Sequence, residues 1–167
     1  MTVLRHARLV GLALVLGCAV PSGPPRVGSA APDLVATTLA GDTLALSSLR
    51  GQPVLVNLWA TWCAPCRRET PYLQTLHETY AARGLRVVGI TVDTRNSESQ
   101  ILSFVDEFGV TYTILRDPDM TSMDRYAVLG LPATFLLDRD GTIRHFVSGP
   151  VAAGDAAFEA ALARVLE

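Results

Sequence analysis

Two thiols, Cys63 and Cys66, lie two residues apart in the stretch 57-NLWATWCAPCRRETP-71, and a carboxyl group, Glu69, follows three residues later. A thiol pair at this spacing can open and close a disulfide and so carry two electrons. The preceding run 53-PVLVNLWA-60 is continuous and apolar and reads as a buried strand. A helix is predicted from about Pro65 to Arg83, stopped by Gly84. The pair therefore falls at a helix N-terminus, where unpaired N–H groups and the helix dipole favour a thiolate. Arg67 and Arg68 add positive charge close by. Lowering a thiol from about pKa 8.5 to about 7 corresponds to roughly 2 kcal/mol of preference for the thiolate. Cys63, at the helix end, is the expected nucleophile. Cys66, one turn in, is the expected resolving thiol, with Pro65 stiffening the turn between them.

Other chemistries of a thiol pair are less well served. Structural zinc generally takes four ligands, often two such pairs. Here there is one pair, and His6, His77 and His145 are scattered. A c-type haem would need His directly after Cys66, where Arg67 stands. A purely structural disulfide across so short a loop gains little chain entropy. A copper chaperone or a binding module without turnover is the alternative from another class, since two thiolates suit Cu(I). No Met or His stands beside the pair to complete such a site. No metal and no cofactor is expected.

Glu69 belongs to a pattern. Cys66, Glu69, Leu73, Leu76 and Tyr80 recur at spacings of three and four and form one helical stripe. The stripe holds the resolving thiol and two leucines, so it should face the sheet. Glu69 then points inward, and burial should raise its pKa. A carboxyl poised near neutrality could take the proton of Cys66 as that thiol attacks. The competing reading is a surface ion pair with Arg67, Arg68 or another arginine.

The elements that must position these groups follow from the rest of the chain. Leu34–Thr38 and Thr43–Leu46 flank a Gly41-Asp42 turn, a hairpin signal. Strands are expected at 53–60, 85–93 and 111–117. Ser97 and Gln100 suggest a capping box for a helix ending near Phe108. A further helix is expected over Met120–Leu129. A hairpin spans 133–149 with Asp140-Gly141 at its turn, and Asp155 caps a last helix bearing Phe158, Leu162 and Val165. The order β-β-β-α-β-α-β-α-β-β-α argues for an α/β fold with a mixed central sheet and helices on both faces.

The remaining 30-odd residues read as export and tether. Arg5 and Arg8 precede the run Leu9–Leu16, followed by Gly17 and Cys18, which is the layout of a secretory signal over 1–18. The stretch 15-VLGC-18 resembles a bacterial lipoprotein box, which makes Cys18 a lipidation candidate. Ordinary signal cleavage and an uncleaved anchor are the alternatives, although twelve apolar residues fall short of the roughly 20 a spanning helix needs. Residues 19–31, rich in Pro, Gly, Ser and Ala, read as a linker, and 32–167 as the folded domain. An exported protein lives where disulfides persist. With Cys18 lipidated, the other two of the three cysteines are the pair. A net charge of −2 gives no basic surface for nucleic acid. All fourteen basic residues are Arg, from which no function is drawn.

The motif WCAPC, preceded by VLVNLWAT, followed by Pro71 and by 130-GLPATFLLDRDG-141, resembles thioredoxin. It is most similar to the membrane-tethered reductases of the TlpA/ResA type, related to the cytochrome c maturation thioredoxins, over about Ala31–Glu167. The resemblance implies a thioredoxin-like fold with an N-terminal β-hairpin extension. It implies that Pro132 is a cis-proline against the thiol pair and that Leu131 offers its backbone to an extended substrate; a plain turn proline is the alternative. Trp62 would flank the nucleophile as a contact surface, and Pro71 would kink the active-site helix. Thioredoxins carry a buried Asp six residues before the first Cys, where this chain has Asn57; ResA-like proteins carry a Glu where Glu69 stands. The peroxiredoxin pattern would need Pro and Thr where Val56 and Ala60 stand. The implied activity is extracytoplasmic thiol-disulfide exchange, reducing disulfides in partner proteins such as those of cytochrome c or oxidase maturation. A membrane thiol donor would restore the thiols. An oxidant similar to DsbA is the rival direction.

Overall fold

A computed structural model describes residues 23–167. The expected signal segment 1–18 and its Cys18 lie outside the described residues. Seven strands form one sheet: β1 Val35–Thr38, β2 Thr43–Ala45, β3 Val54–Trp59, β4 Arg86–Thr91, β5 Thr113–Arg116, β6 Ala133–Leu137 and β7 Ile143–Ser148. Their order is β2-β1-β5-β4-β3-β6-β7, with β3, β4 and β5 parallel and the other pairings antiparallel. The helices are α1 Ala64–Tyr80, α2 Glu98–Glu107, α3 Thr121–Arg125 and α4 Ala156–Val165. This is the mixed, thioredoxin-like α/β sheet expected. The N-terminal hairpin β1–β2 extends it beyond β5.

The central strands are buried on both sides, and their residues alternate between two cores as the pleat requires. Leu55, Trp59, Val87, Ile114 and Leu136 join α1, α2 and α4 in one core. Val54, Val56, Leu58, Val88, Ile90 and Leu115 join Tyr126 and Val128, just after α3, and Leu34 and Leu46 in the other. The helices do cover both faces, but unequally. The three long ones share a face, and the second is closed mainly by one short helix and the N-terminal segment.

Several helix ends follow their local sequence signals. Gly84 is left-handed at φ 91°, and the N–H groups of Gly84 and Leu85 return to Ala81 and Tyr80, closing α1 and its short 3-10 extension. Asp155 caps α4 through the N–H groups of Ala157 and Phe158. Three expectations need correction. Ser97 precedes α2, but its φ and ψ of −95° and 15° are not those of a capping residue, and its hydroxyl meets Thr94 at 3.0 Å. Gln100 accepts from Ser99 instead of completing a capping box. The helix expected over Met120–Leu129 is a five-residue turn. Ala127 turns left-handed at φ 51°, and the N–H groups of Ala127 and Val128 bond back to Asp124 and Met123, which ends the helix. Finally, Gly28–Ala31, within the expected linker, bond to Gly141 and Ile143, so the chain is fixed to the sheet four residues before the expected boundary.

Candidate active site

The parallel strand β3 delivers the chain to a turn over Ala60–Cys63, where the Cys63 N–H donates to the Ala60 carbonyl at 3.1 Å. Cys63 is the N-cap of α1, with extended φ and ψ of −82° and 101°. Its Sγ accepts the Cys66 N–H at 3.2 Å, so one unpaired donor of the helix end points at the sulfur. Cys63 and Cys66 form a disulfide with Cα atoms 5.2 Å apart. Cys63 keeps 4% of its surface open and Cys66 none. Pro65 occupies the first turn, where its missing N–H costs nothing. Pro71 lies inside α1 and leaves the Arg67 carbonyl without its usual donor.

Beneath the pair, Cys66, Glu69, Leu73 and Leu76 are all buried, as the stripe predicts. Glu69 is 2% exposed. Its Oε1 accepts from Asn57 Nδ2 at 2.8 Å, and its Oε2 from the Val151 N–H at 2.8 Å. Among the described residues no arginine or histidine pairs with it. Burial pushes Glu69 up from 4.5 to about 7, against the pull of the Val151 N–H and the Asn57 amide. Tyr112 is buried in the same core; burial, and then the charge of Glu69, push its hydroxyl up. One of the two arginines beside the pair already has a partner. Arg67 pairs with Glu107 and lies over the rings of Phe104 and Phe108 at 5.4 and 5.0 Å, so its charge is committed to α2. Arg68 is exposed.

The Leu131–Pro132 bond is cis. In the β3–β6 register Leu58 faces Ala133, which sets Pro132 level with Trp59, four residues before Cys63. Pro132 is buried and Leu131 half-buried. Trp62, next to Cys63 in the chain, is 71% exposed, and Leu129 stands fully open on the same loop as Leu131. Among the described residues no group of three or more His, Cys, Asp or Glu side chains could hold a metal ion.

Three contributors escaped the sequence reading. Asn57 was noted as a missing acid, yet it is the amide that holds Glu69, and its Nδ2 also donates to Thr134 Oγ1 at 2.9 Å. The period-two alternation from Leu55 could have put Asn57 on the face of α1. Val151, 82 residues from Glu69, contributes only a backbone N–H and left no signal. Asp93, at the end of 85-LRVVGITVD-93, is buried against Thr61.

A disulfide at the N-cap of a helix, on a thioredoxin-like sheet that also carries a cis-proline level with Trp59, defines a thiol-disulfide redox protein. The AhpC/TSA family matches residues 27–146. The thiol-disulfide oxidoreductase ResA of Geobacillus kaustophilus is 36% identical over 129 residues, covering 77% of this chain and 73% of its own. ResA of Bacillus subtilis is 33% identical over 149 residues, covering 83% and 82%. Among solved structures, one assigned to the thiol:disulfide interchange protein DsbE of Chlorobium tepidum superposes with a TM-score of 0.78 at 29% identity, covering 86% of this chain and 99% of that one. The chain belongs to the AhpC/TSA family and, within it, to the ResA-like thiol-disulfide oxidoreductases.

Proposed function

We propose that this oxidoreductase works outside the cytoplasm, tethered to a membrane through residues 1–27, and reduces disulfides in partner proteins. The export layout of 1–18, the lipidation candidate Cys18 and the Pro- and Gly-rich segment after it support the tether. Components of cytochrome c or oxidase maturation are the partner class, and a membrane thiol donor supplies the electrons.

One observation carries the mechanism: a buried carboxyl, Glu69, stands one turn after the fully buried Cys66, and among the described residues no cation pairs with it. In the reduced protein the Cys63 thiolate attacks one sulfur of a substrate disulfide. The substrate S–S bond breaks, a mixed disulfide forms on Cys63, and one substrate thiolate leaves and takes a proton from solvent. Cys66 then loses its proton to Glu69 and attacks Cys63 Sγ. The mixed disulfide breaks, the second substrate thiolate leaves and takes a proton from solvent, Cys63–Cys66 closes, and Glu69 returns its proton to solvent. The protein has given two electrons and the substrate has become a dithiol. Leu131 and Pro132 offer extended backbone to the substrate segment, and Trp62 flanks it. Hydrogen bonds from Asn57 and Val151 keep the carboxyl in place while its proton comes and goes.

Trapping tests this reading. Cys66→Ser leaves Cys63 able to attack but the complex unable to resolve. Mass spectrometry of the adducts should find extracytoplasmic cysteine proteins joined to Cys63, and the absence of any adduct would contradict the proposal. The reduction potential fixes the direction. A value near about −270 mV supports a reductase, and one near about −120 mV an oxidant.

A further inference from the structure

Asp93 is buried, 4% exposed, at the C-terminal end of β4, and the mechanism above does not use it. Its Oδ2 accepts from the Thr61 N–H at 2.8 Å and from Thr91 Oγ1 at 2.6 Å. Its Oδ1 accepts from Thr61 Oγ1 at 2.7 Å. Among the described residues no arginine or histidine pairs with it. Thr61 is therefore held at both its backbone and its side chain. It is also the second residue of the turn closed by the Cys63 N–H and the Ala60 carbonyl. Among the described residues the other polar tie from this strand end is the Val92 N–H, which donates to the Trp59 carbonyl at 3.0 Å just before the turn. Trp62, between Thr61 and Cys63, is largely open to solvent and gives little support.

We infer that Asp93 is a positioning residue for the nucleophile: by clamping Thr61 it fixes the Ala60–Cys63 turn, and so the seat of Cys63 Sγ over the Cys66 N–H. The inference concerns the attack by Cys63 and stands apart from the proton transfer assigned to Glu69. It works through shape. Two short bonds hold Thr61 to the Asp93 carboxyl, the Thr91 hydroxyl holds that carboxyl to β4, and together they define the turn more tightly than packing around an exposed loop. Once the turn relaxes, Sγ drifts from the helix N-terminus and the thiolate loses its stabilising donor.

The geometry supplies its own control. In Asp93→Asn the carboxamide oxygen can replace Oδ2 and accept both the Thr61 N–H and the Thr91 hydroxyl. The amide nitrogen can replace Oδ1 and donate to Thr61 Oγ1, since a hydroxyl accepts as readily as it donates. Asp93→Ala removes all three side-chain bonds and keeps only the backbone N–H bond to Thr91 Oγ1. Both variants lose the charge, so a difference between them reports the clamp alone.

The experiment is the alkylation rate of Cys63 in the reduced full-length chain, measured against pH in a Cys66→Ser background, with thermal unfolding alongside. Misplacement of a reacting group by a fraction of an ångström to one ångström costs one to two powers of ten, so Asp93→Ala should react about tenfold more slowly at neutral pH. Its profile should shift to higher pH than that of Asp93→Asn. The asparagine variant should stay within about threefold of the parent. Equal rates in the two variants would overturn the inference, as would an alanine variant that unfolds earlier yet alkylates normally. If Asp93→Ala does not fold, Thr61→Val decides. It keeps the backbone N–H and loses the hydroxyl bond, and should slow alkylation about threefold. An unchanged rate there overturns the inference.

Discussion

Glu69 and Asp138 are both carboxyls that accept at least two hydrogen bonds, yet their proton affinities move in opposite directions. Glu69, under the disulfide, accepts from Asn57 and from the Val151 N–H and rises to about 7. Asp138, at the end of β6, accepts from the N–H groups of Asp140 and Thr142 and pairs with Arg144. Burial pushes Asp138 up as well, but the Thr142 N–H, Arg144 and the Asp140 N–H together outweigh it and hold it below its usual 3.8. Asp138 has three donors to the two of Glu69, but the number is the lesser difference. Depth and a cation separate the two. The chain closes a surface hairpin with an acid that stays ionised, and sets under its thiols an acid left free to take a proton.

The largest test removes the carboxyl that rises. In the oxidised protein Glu69 holds its proton to higher pH than the unfolded chain does. Its contribution to stability is complete below about pH 4.5 and is lost as pH rises through about 7. The gap between 4.5 and about 7 corresponds to ~3 kcal/mol. Urea unfolding at several pH values should show this decline in the parent and not in Glu69→Gln. A constant difference between the two proteins across that window would remove burial as the dominant cause.

A second test sharpens the role of the donors. Asn57→Leu takes away the amide that serves both Glu69 and Thr134. It should cost about 2 kcal/mol, as expected for leaving buried acceptors without a partner. It should also move the Glu69 titration above that of the parent, because a bond that favours the charged form is gone. Carbon-13 NMR of the carboxyl measures that midpoint directly, and a downward move would contradict the account.

The smallest test lies at the surface. Asp138→Ala loses the two turn N–H groups and the Arg144 pair. Solvent screens such a site, so about 1 kcal/mol is expected at neutral pH. The depressed acid contributes stability that is present above about pH 3.8 and lost as pH falls below it. The variant should therefore approach the parent in acid, the opposite pH trend to Glu69→Gln.

The same contrast marks what the sequence revealed. Cys63, Cys66 and the inward stripe through Glu69 were legible because one helix carries them at its own period. Gly84 and Asp155 were legible as helix ends because their side chains, or lack of one, set the backbone. The partners of Glu69 were not, because they come from β3 and from the loop before α4, and one is a bare N–H. The short α3 was missed because Ala127 takes a left-handed turn that its residue type does not announce. The partners of Arg67 were not legible, because helical proximity to Cys63 says nothing of Glu107 on α2 or Phe108 just after it. Contacts within an element follow from spacing, whereas contacts between elements need the fold.

The central claim is that Glu69 takes the proton of Cys66 during resolution. The measurement is the rate at which a preformed mixed disulfide on Cys63 is released by Cys66, followed by stopped flow from pH 5 to 9 in the parent and in Glu69→Gln. The account predicts a parent rate that climbs through a midpoint near 7. The variant should be about 100-fold slower, as for loss of a general base, and should lack that midpoint. Superimposable profiles would contradict it.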